Sequence, residues 1–252
     1  MPVRLSGLSF FLPAYNEGDN IRAMVERALE VLPRFADDLE IIVVDDGSRD
    51  RTREIAEELA ARHPEVRVIS HARNRGIAEA MRTGFDSCTR PFVFYTDGDL
   101  QFDTADIARL IPAIHDADAV IGYRLKRRDP IRRLLTAWVY NRLIRLLFDV
   151  GWRDVDSAFK LFRREIFDRV PVSVVRSNGA VFFPELLLAL RAGGARIREE
   201  GVPHYPRRAG RPKGALPHVI LRATWDLLAL RIRLGRHARG RREAPQTSPR
   251  AR

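Results

Sequence analysis

Five short apolar runs, separated by stretches of helical periodicity, fill the first 122 residues and restrict the chain to an alternating α/β design. The runs are Leu8–Leu12, Glu40–Val44, Val66–Ile69, Phe92–Tyr95 and Ala119–Ile121. Ile41-Ile42-Val43-Val44 is continuous rather than alternating, as expected of a strand buried on both faces. Between the runs, Glu17–Leu32 places Ile21, Met24, Val25, Ala28 and Leu29 on one helical face. Asp50–Arg62, with Asp50 as its N-cap, Ile77–Cys88 and Thr104–Ile114 also read as helices. The expectation is a mostly parallel sheet with helices on both faces.

After Gly122 the pattern changes. Ile131–Phe148 is rich in Leu, Trp and Tyr, but its arginines do not share one face. Val155–Phe162 and Ala195–Val202 are candidate returns to the sheet, and Pro184–Arg191 is a helix ended by Gly193-Gly194. Val219–Leu234 is an apolar helix with a narrow stripe of Arg222, Asp226 and Arg233, so it is expected either to pack into protein or to lie on a bilayer. The resulting division is a domain over residues 1–215, with halves of about 1–122 and 123–215. An amphipathic helix over 216–235 and a basic, disordered tail over 236–252 follow.

Charge narrows the partners. The net charge is +11, concentrated between Arg124 and Arg145 and again after Arg231. Such patches attract nucleic acid, anionic lipid or phosphorylated substrates. Cys88 stands alone, which excludes an internal disulfide framework and suits a reducing compartment. The N-terminal apolar stretch reads as a first strand rather than a signal peptide, and no run is long enough to span a bilayer.

Three of the strand-like runs end in polar loops: Pro13-Ala14-Tyr15-Asn16-Glu17, Asp45-Asp46-Gly47-Ser48-Arg49-Asp50 and Asp97-Gly98-Asp99-Leu100-Gln101. Parallel strands deliver such loops to one edge, where open α/β sheets bind ligands. Glu17, Asp46, Asp97 and Asp99 are then expected to crowd one cleft, tolerable when a cation or ligand donors neutralise them. If the chain stays extended, Asp97, Asp99 and Gln101 project to one side, and their hard oxygens suit Mg²⁺ or Mn²⁺ completed by phosphate. Each loop taken alone also reads as an ordinary turn or helix cap.

In this order, FFLPAYNE, IIVVDDGSRDRT, NRGIAEAMRTG and YTDGDLQ resemble family 2 glycosyltransferases with the Rossmann-like GT-A fold, over roughly residues 8–215. The resemblance implies that Pro13, Ala14, Tyr15, Glu17 and Asp46 bind the nucleotide. It implies further that Asp97 and Gly98 meet the donor, and that Asp99 and Gln101 hold the metal, with Asp97 a further candidate ligand. Gln101, Gly122-Tyr123-Arg124 and Asp154-Val155-Asp156-Ser157-Ala158-Phe159-Lys160 are similar to the dolichol-phosphate mannose synthase branch, which commonly has Gly at Ala158. His204–Lys213 resembles that branch's phosphate loop, with Pro212 where Ser is usual.

The branch implies inverting transfer of a sugar, mannose first among them, from GDP-mannose or a UDP-sugar to polyprenyl phosphate. Arg124, Arg207 and Lys213 would act on phosphate charge beside Asp99, with no general base assigned. The setting implied is the cytoplasmic face of a membrane, peripherally bound, alone or with a small membrane partner protein. Three rivals make different predictions: a family 2 enzyme acting on a soluble saccharide or protein, an inactive homologue, and a basic nucleic-acid-binding protein. The basic patches lack the interleaved aromatics expected of the last.

Overall fold

The computed structural model describes residues 4–125, 131–206 and 217–243. In chain order its elements are β1 (Leu8–Ala14), α1 (Ile21–Val31), β2 (Leu39–Asp45), α2 (Thr52–Arg62), β3 (Val66–Ser70), α3 (Ile77–Ser87), β4 (Phe92–Thr96), α4 (Ile107–Ile114) and β5 (Ala119–Leu125). There follow α5 (Ile131–Phe148), β6 (Phe159–Arg163), α6 (Ile166–Arg169), α7 (Phe182–Ala192), β7 (Ile197–Pro203) and α8 (Pro217–Glu243). Every strand and long helix expected from periodicity is present, shifted by a few residues at its ends.

The seven strands form one sheet in the order β3-β2-β1-β4-β6-β5-β7. Only β6 runs antiparallel, between β4 and β5. The C-terminal ends of β1, β2, β4 and β5 therefore share one edge, and β6 presents its N-terminal end there. Phe159 opens β6 opposite Thr96, so the turn 154–158 lies beside the end of β4.

An aromatic column ties the strands to their helices. Phe10 stacks on Phe94 at 5.2 Å, and Phe94 meets Phe159 edge-on at 4.8 Å. Phe11 packs edge-on against Phe85 of α3 at 4.7 Å. Gly84 is what lets α3 sit so close: a Cβ there would lie 2.2 Å from the Phe11 ring.

At the opposite edge of the sheet, Glu40 binds three strands together. It accepts from Ser9 of β1, from the backbone and hydroxyl of Thr89 before β4, and from Arg67 of β3. Burial works to raise its pKa, but these hydrogen bonds outweigh burial and hold it below the ordinary carboxylate value.

The last helix runs through Glu243, beyond the expected end at 235. It has a packed side and an outward side. Ala223, Leu227 and Leu230 are buried, and Arg233 reaches the carboxylate of Glu185 and Ser177 Oγ. Trp225, Leu228 and Ile232 face outward, Trp225 with 72% exposure. Arg222 and Asp226 form the expected i,i+4 pair at 4.0 Å.

Candidate active site

The first two loops are locked into each other. Asn16 takes a left-handed φ of 53°, donates its backbone N–H to Ser48 Oγ, and accepts from the Arg49 backbone on Oδ1. Asp50 accepts from Gly18 and Thr52, and Thr52 Oγ1 accepts from the Glu17 backbone. Pro13 and Ala14 lie within β1, opposite Val44 and Asp45. A nucleotide meeting this edge meets a preformed surface.

The acids of the three loops each have partners of their own. Glu17 Oε2 accepts from Asn20 at the start of α1. Asp46 is buried: Oδ1 accepts from His71 Nδ1 (2.7 Å) and the Arg75 backbone (2.8 Å), and Oδ2 from the Gly76 backbone (2.8 Å). His71 Nε2 is paired in turn with Thr83 Oγ1. Gly47, with φ of 68°, makes the close approach possible, since a Cβ would lie 2.4 Å from Arg73. Asp46 therefore anchors the loop ahead of α3. Among the described residues, no three or more His, Cys, Asp or Glu side chains are grouped to hold a metal ion by themselves.

The Asp97–Gln101 arm is a turn and not an extended segment, which corrects the alternation argument. Leu100 takes a left-handed φ of 58°, and the Gln101 backbone N–H donates to Asp99 Oδ1 at 3.1 Å. The turn, not strand pleat, brings Asp99 and Gln101 together, both buried. A Cβ on Gly98 would lie 3.5 Å from Leu12 and from the Pro13 carbonyl, so the arm packs on the end of β1. Tyr95 donates its hydroxyl to Asp97, and burial, then Asp97 itself, push the phenol pKa far above its usual value.

Gln101 is held from its far side. The Tyr205 backbone N–H donates to the Gln101 carbonyl at 2.9 Å, and Gln101 Nε2 donates to the Tyr205 carbonyl at 3.4 Å. The segment entering the Arg207–Lys213 loop is thus fastened to the acidic arm; Arg207 and Lys213 themselves lie outside the described residues. His204 packs edge-on against Phe102 at 5.2 Å. The donor types suit a hard divalent ion: a carboxylate on Asp99 and, on Gln101, an amide whose nitrogen is directed at Tyr205; phosphate oxygens would have to supply the rest of the shell.

Arg124, at the end of β5, grips Asp154 through two hydrogen bonds, Nε to Oδ2 (2.6 Å) and an Nη to Oδ1 (2.7 Å). Arg124 and Asp154 both line a cavity of about 210 Å³, together with Tyr123, Leu134, Trp138, Arg145 and Arg153. Arg153 stacks over the Tyr123 ring at 4.8 Å. Arg145 Nε is buried with no hydrogen-bond partner. The cavity combines guanidinium donors with an apolar wall supplied by α5.

Sequence reasoning passed over Lys160, Tyr205 and the Arg153–Arg145 side of the cavity. Lys160 carried a legible signal, a charge within the apolar run Ala158-Phe159-Lys160-Leu161-Phe162. Tyr205 carried none, because its contact with Gln101 is made by backbone.

Comparison with known proteins places this geometry among relatives. The model of the family described as "Glycosyl transferase family 2" matches residues 9–170. A dodecaprenyl-phosphate galacturonate synthase of Rhizobium johnstonii is 29% identical, over 91% of this chain and 68% of the relative. A polyprenol monophosphomannose synthase of Mycolicibacterium smegmatis is 31% identical, over 79% of this chain and 77% of the relative. Among solved structures, glucosyl-3-phosphoglycerate synthase from Mycobacterium tuberculosis, in complex with Mn²⁺ and UDP-glucose, superposes with a TM-score of 0.67. It is 20% identical, with 90% of this chain and 78% of that one covered, a likeness of fold.

Proposed function

The chain belongs to glycosyl transferase family 2, and from that premise we propose that it transfers a sugar from a nucleotide-diphosphate donor to a polyprenyl phosphate, with inversion. The observation that carries this reading is the arginine-lined cavity at the end of β5. Arg124, Arg145 and Arg153 suit a phosphate, and Leu134 and Trp138 suit the hydrocarbon next to it. The two relatives named for polyprenyl-phosphate and polyprenol-phosphate products support it independently.

The acceptor phosphate, with a second pKa of roughly 6, is largely a dianion at neutral pH. One of its oxygens attacks the anomeric carbon, the bond to the donor diphosphate breaks, and no general base is required. Pro13, Ala14, Tyr15, Glu17 and Asp46 would bind the nucleotide, and Asp97 and Gly98 would meet the donor. Asp99 and Gln101 would hold Mg²⁺ or Mn²⁺, which supplies Lewis-acid stabilisation of the leaving diphosphate. Arg124, Arg207 and Lys213 would bind phosphate charge as it moves from acceptor to leaving group. Mannose is the favoured sugar, supported by the monophosphomannose synthase relative, with GDP-mannose the leading donor; the galacturonate relative makes galacturonate a competing sugar, and UDP-sugars are the competing donors.

A lipid acceptor calls for a membrane-facing surface. No helix among the described residues is long and apolar enough to cross a membrane. α5 touches α8, and it too turns large apolar side chains outward: Leu135, Trp138, Val139 and Leu146. Together with the arginines of α8, these faces support peripheral binding to an anionic bilayer. The lone, buried Cys88 is compatible with its cytoplasmic face.

The test is a competition. Undecaprenyl phosphate and a soluble disaccharide are offered together with radiolabelled GDP-mannose, UDP-glucose and UDP-galacturonate in separate reactions. Label partitioning into the organic phase supports the proposal, and label appearing only in soluble product sinks it.

A further inference from the structure

Of the 44 Lys and Arg residues, only Lys126, Lys160 and Lys213 are lysines. Lys160 takes the most desolvated position: it is 0% exposed, the one buried cation among the described residues. It stands on β6 opposite Tyr95 of β4 and Ile121 of β5. Its ammonium donates to the Ser157 carbonyl and lies 3.9 Å from the centroid of the Phe183 ring. Phe183 also packs at 4.9 Å against Tyr95, whose hydroxyl holds Asp97.

The charged groups that face this ammonium come from three places. Asp154 and Asp156 belong to the turn before β6, Asp97 to the end of β4, and Arg124 to the end of β5. Burial lowers the Lys160 pKa from 10.5 to about 8, while the three carboxylates act the other way. Burying an ammonium is costly, and an apolar side chain of similar length would fill the space without that cost. Lys160 is enclosed and so does not clamp substrate.

We infer that Lys160 is a positioning residue whose ammonium is the internal counter-charge of Asp97 and Asp156 and shares Asp154 with Arg124. It keeps that acidic set in shape before ligands arrive and reduces the negative potential that a divalent ion meets at the Asp97–Gln101 arm. The inference rests on reading that arm as a divalent-ion site, and it names a residue that acts through the acids and not on the substrate.

The test uses the full chain with ¹³Cε/¹⁵Nζ-labelled lysine, whose three side-chain signals are few enough to follow singly. Mg²⁺ is titrated in, while Mn²⁺ binding is counted separately by electron paramagnetic resonance. The buried lysine signal is expected to move as Mg²⁺ saturates the protein. Lys160→Met and Lys160→Gln are expected to bind Mn²⁺ about tenfold more tightly, because a nearby positive charge is gone, and to turn over more slowly. Gln can still donate to the Ser157 carbonyl, so an effect confined to Met would mark a hydrogen-bonding role and overturn the charge role. A lysine signal unmoved in a protein that binds Mn²⁺ overturns the inference, as does wild-type Mn²⁺ affinity in both variants. Should the variants fail to fold, the wild-type titration decides alone. A wild-type protein that binds no Mn²⁺ overturns the metal site itself, and this inference with it.

Discussion

Leu100 is where the backbone departs from the extended path that alternation would impose, and its left-handed φ of 58° brings Asp99 and Gln101 into contact. The residue types of the arm were legible in the sequence, but its geometry was not, because nothing in Asp-Leu-Gln demands φ above zero at a leucine. Asp99→Asn keeps an acceptor for the Gln101 N–H, so the turn should survive while the charge is lost. Transfer is expected to fall about 10²- to 10³-fold with an unchanged circular dichroism spectrum. Arg124 shows the other limit. The sequence marked it as a phosphate ligand, and the fold adds that its guanidinium is paired with Asp154, so it would meet a phosphate from a fixed position. Both side chains are nearly buried, so Asp154→Ala leaves an uncompensated cation. It should lower unfolding free energy by about 3 kcal/mol in urea titration, and no loss of stability would show that the pair is solvated.

Among the elements, α8 carries two faces whose roles separate cleanly. Its pattern read as apolar nearly all round, which is why sequence alone left core packing and membrane contact equally open. Tertiary packing divides the helix: Leu227 meets the core with 0% exposure, and Trp225 points away. Leu227→Ala is expected to cost about 3 kcal/mol of stability by leaving a cavity. Trp225→Ser should change stability by no more than about 0.5 kcal/mol and yet reduce flotation with anionic liposomes. Equal flotation of wild type and a double variant, Trp225→Ser with Trp138→Ser, would remove the membrane role from this surface. The strands were the most legible elements, because continuous apolar runs such as Ile41–Val44 leave few alternatives. The placement of β6 was the least legible, since its antiparallel insertion is a long-range choice that local periodicity does not encode.

Across the whole molecule, the sheet separates a stabilising edge from a working one. Glu40 secures the first by joining β1, β2, β3 and the entry to β4. Its folded pKa lies below the ordinary 4.5, so its contribution is present above that value and is lost as pH falls through the folded pKa. Unfolding free energy should therefore fall on acidification below about pH 4.5, and Glu40→Gln should flatten that limb of the curve. A Glu40→Gln profile parallel to wild type would assign the acid sensitivity elsewhere. At the working edge, four strand ends and the turn before β6 assemble the acidic arm and the arginine-lined cavity from segments spread between Pro13 and Tyr205.

The proposed transfer depends on those two features acting together. The decisive measurement is transfer of radiolabelled sugar into undecaprenyl phosphate by wild type, with and without EDTA, alongside Asp99→Asn. Organic-phase label is expected with wild type, lost with EDTA, restored by excess Mn²⁺, and lost in the variant. Label that persists undiminished in EDTA, or in Asp99→Asn, would contradict that dependence.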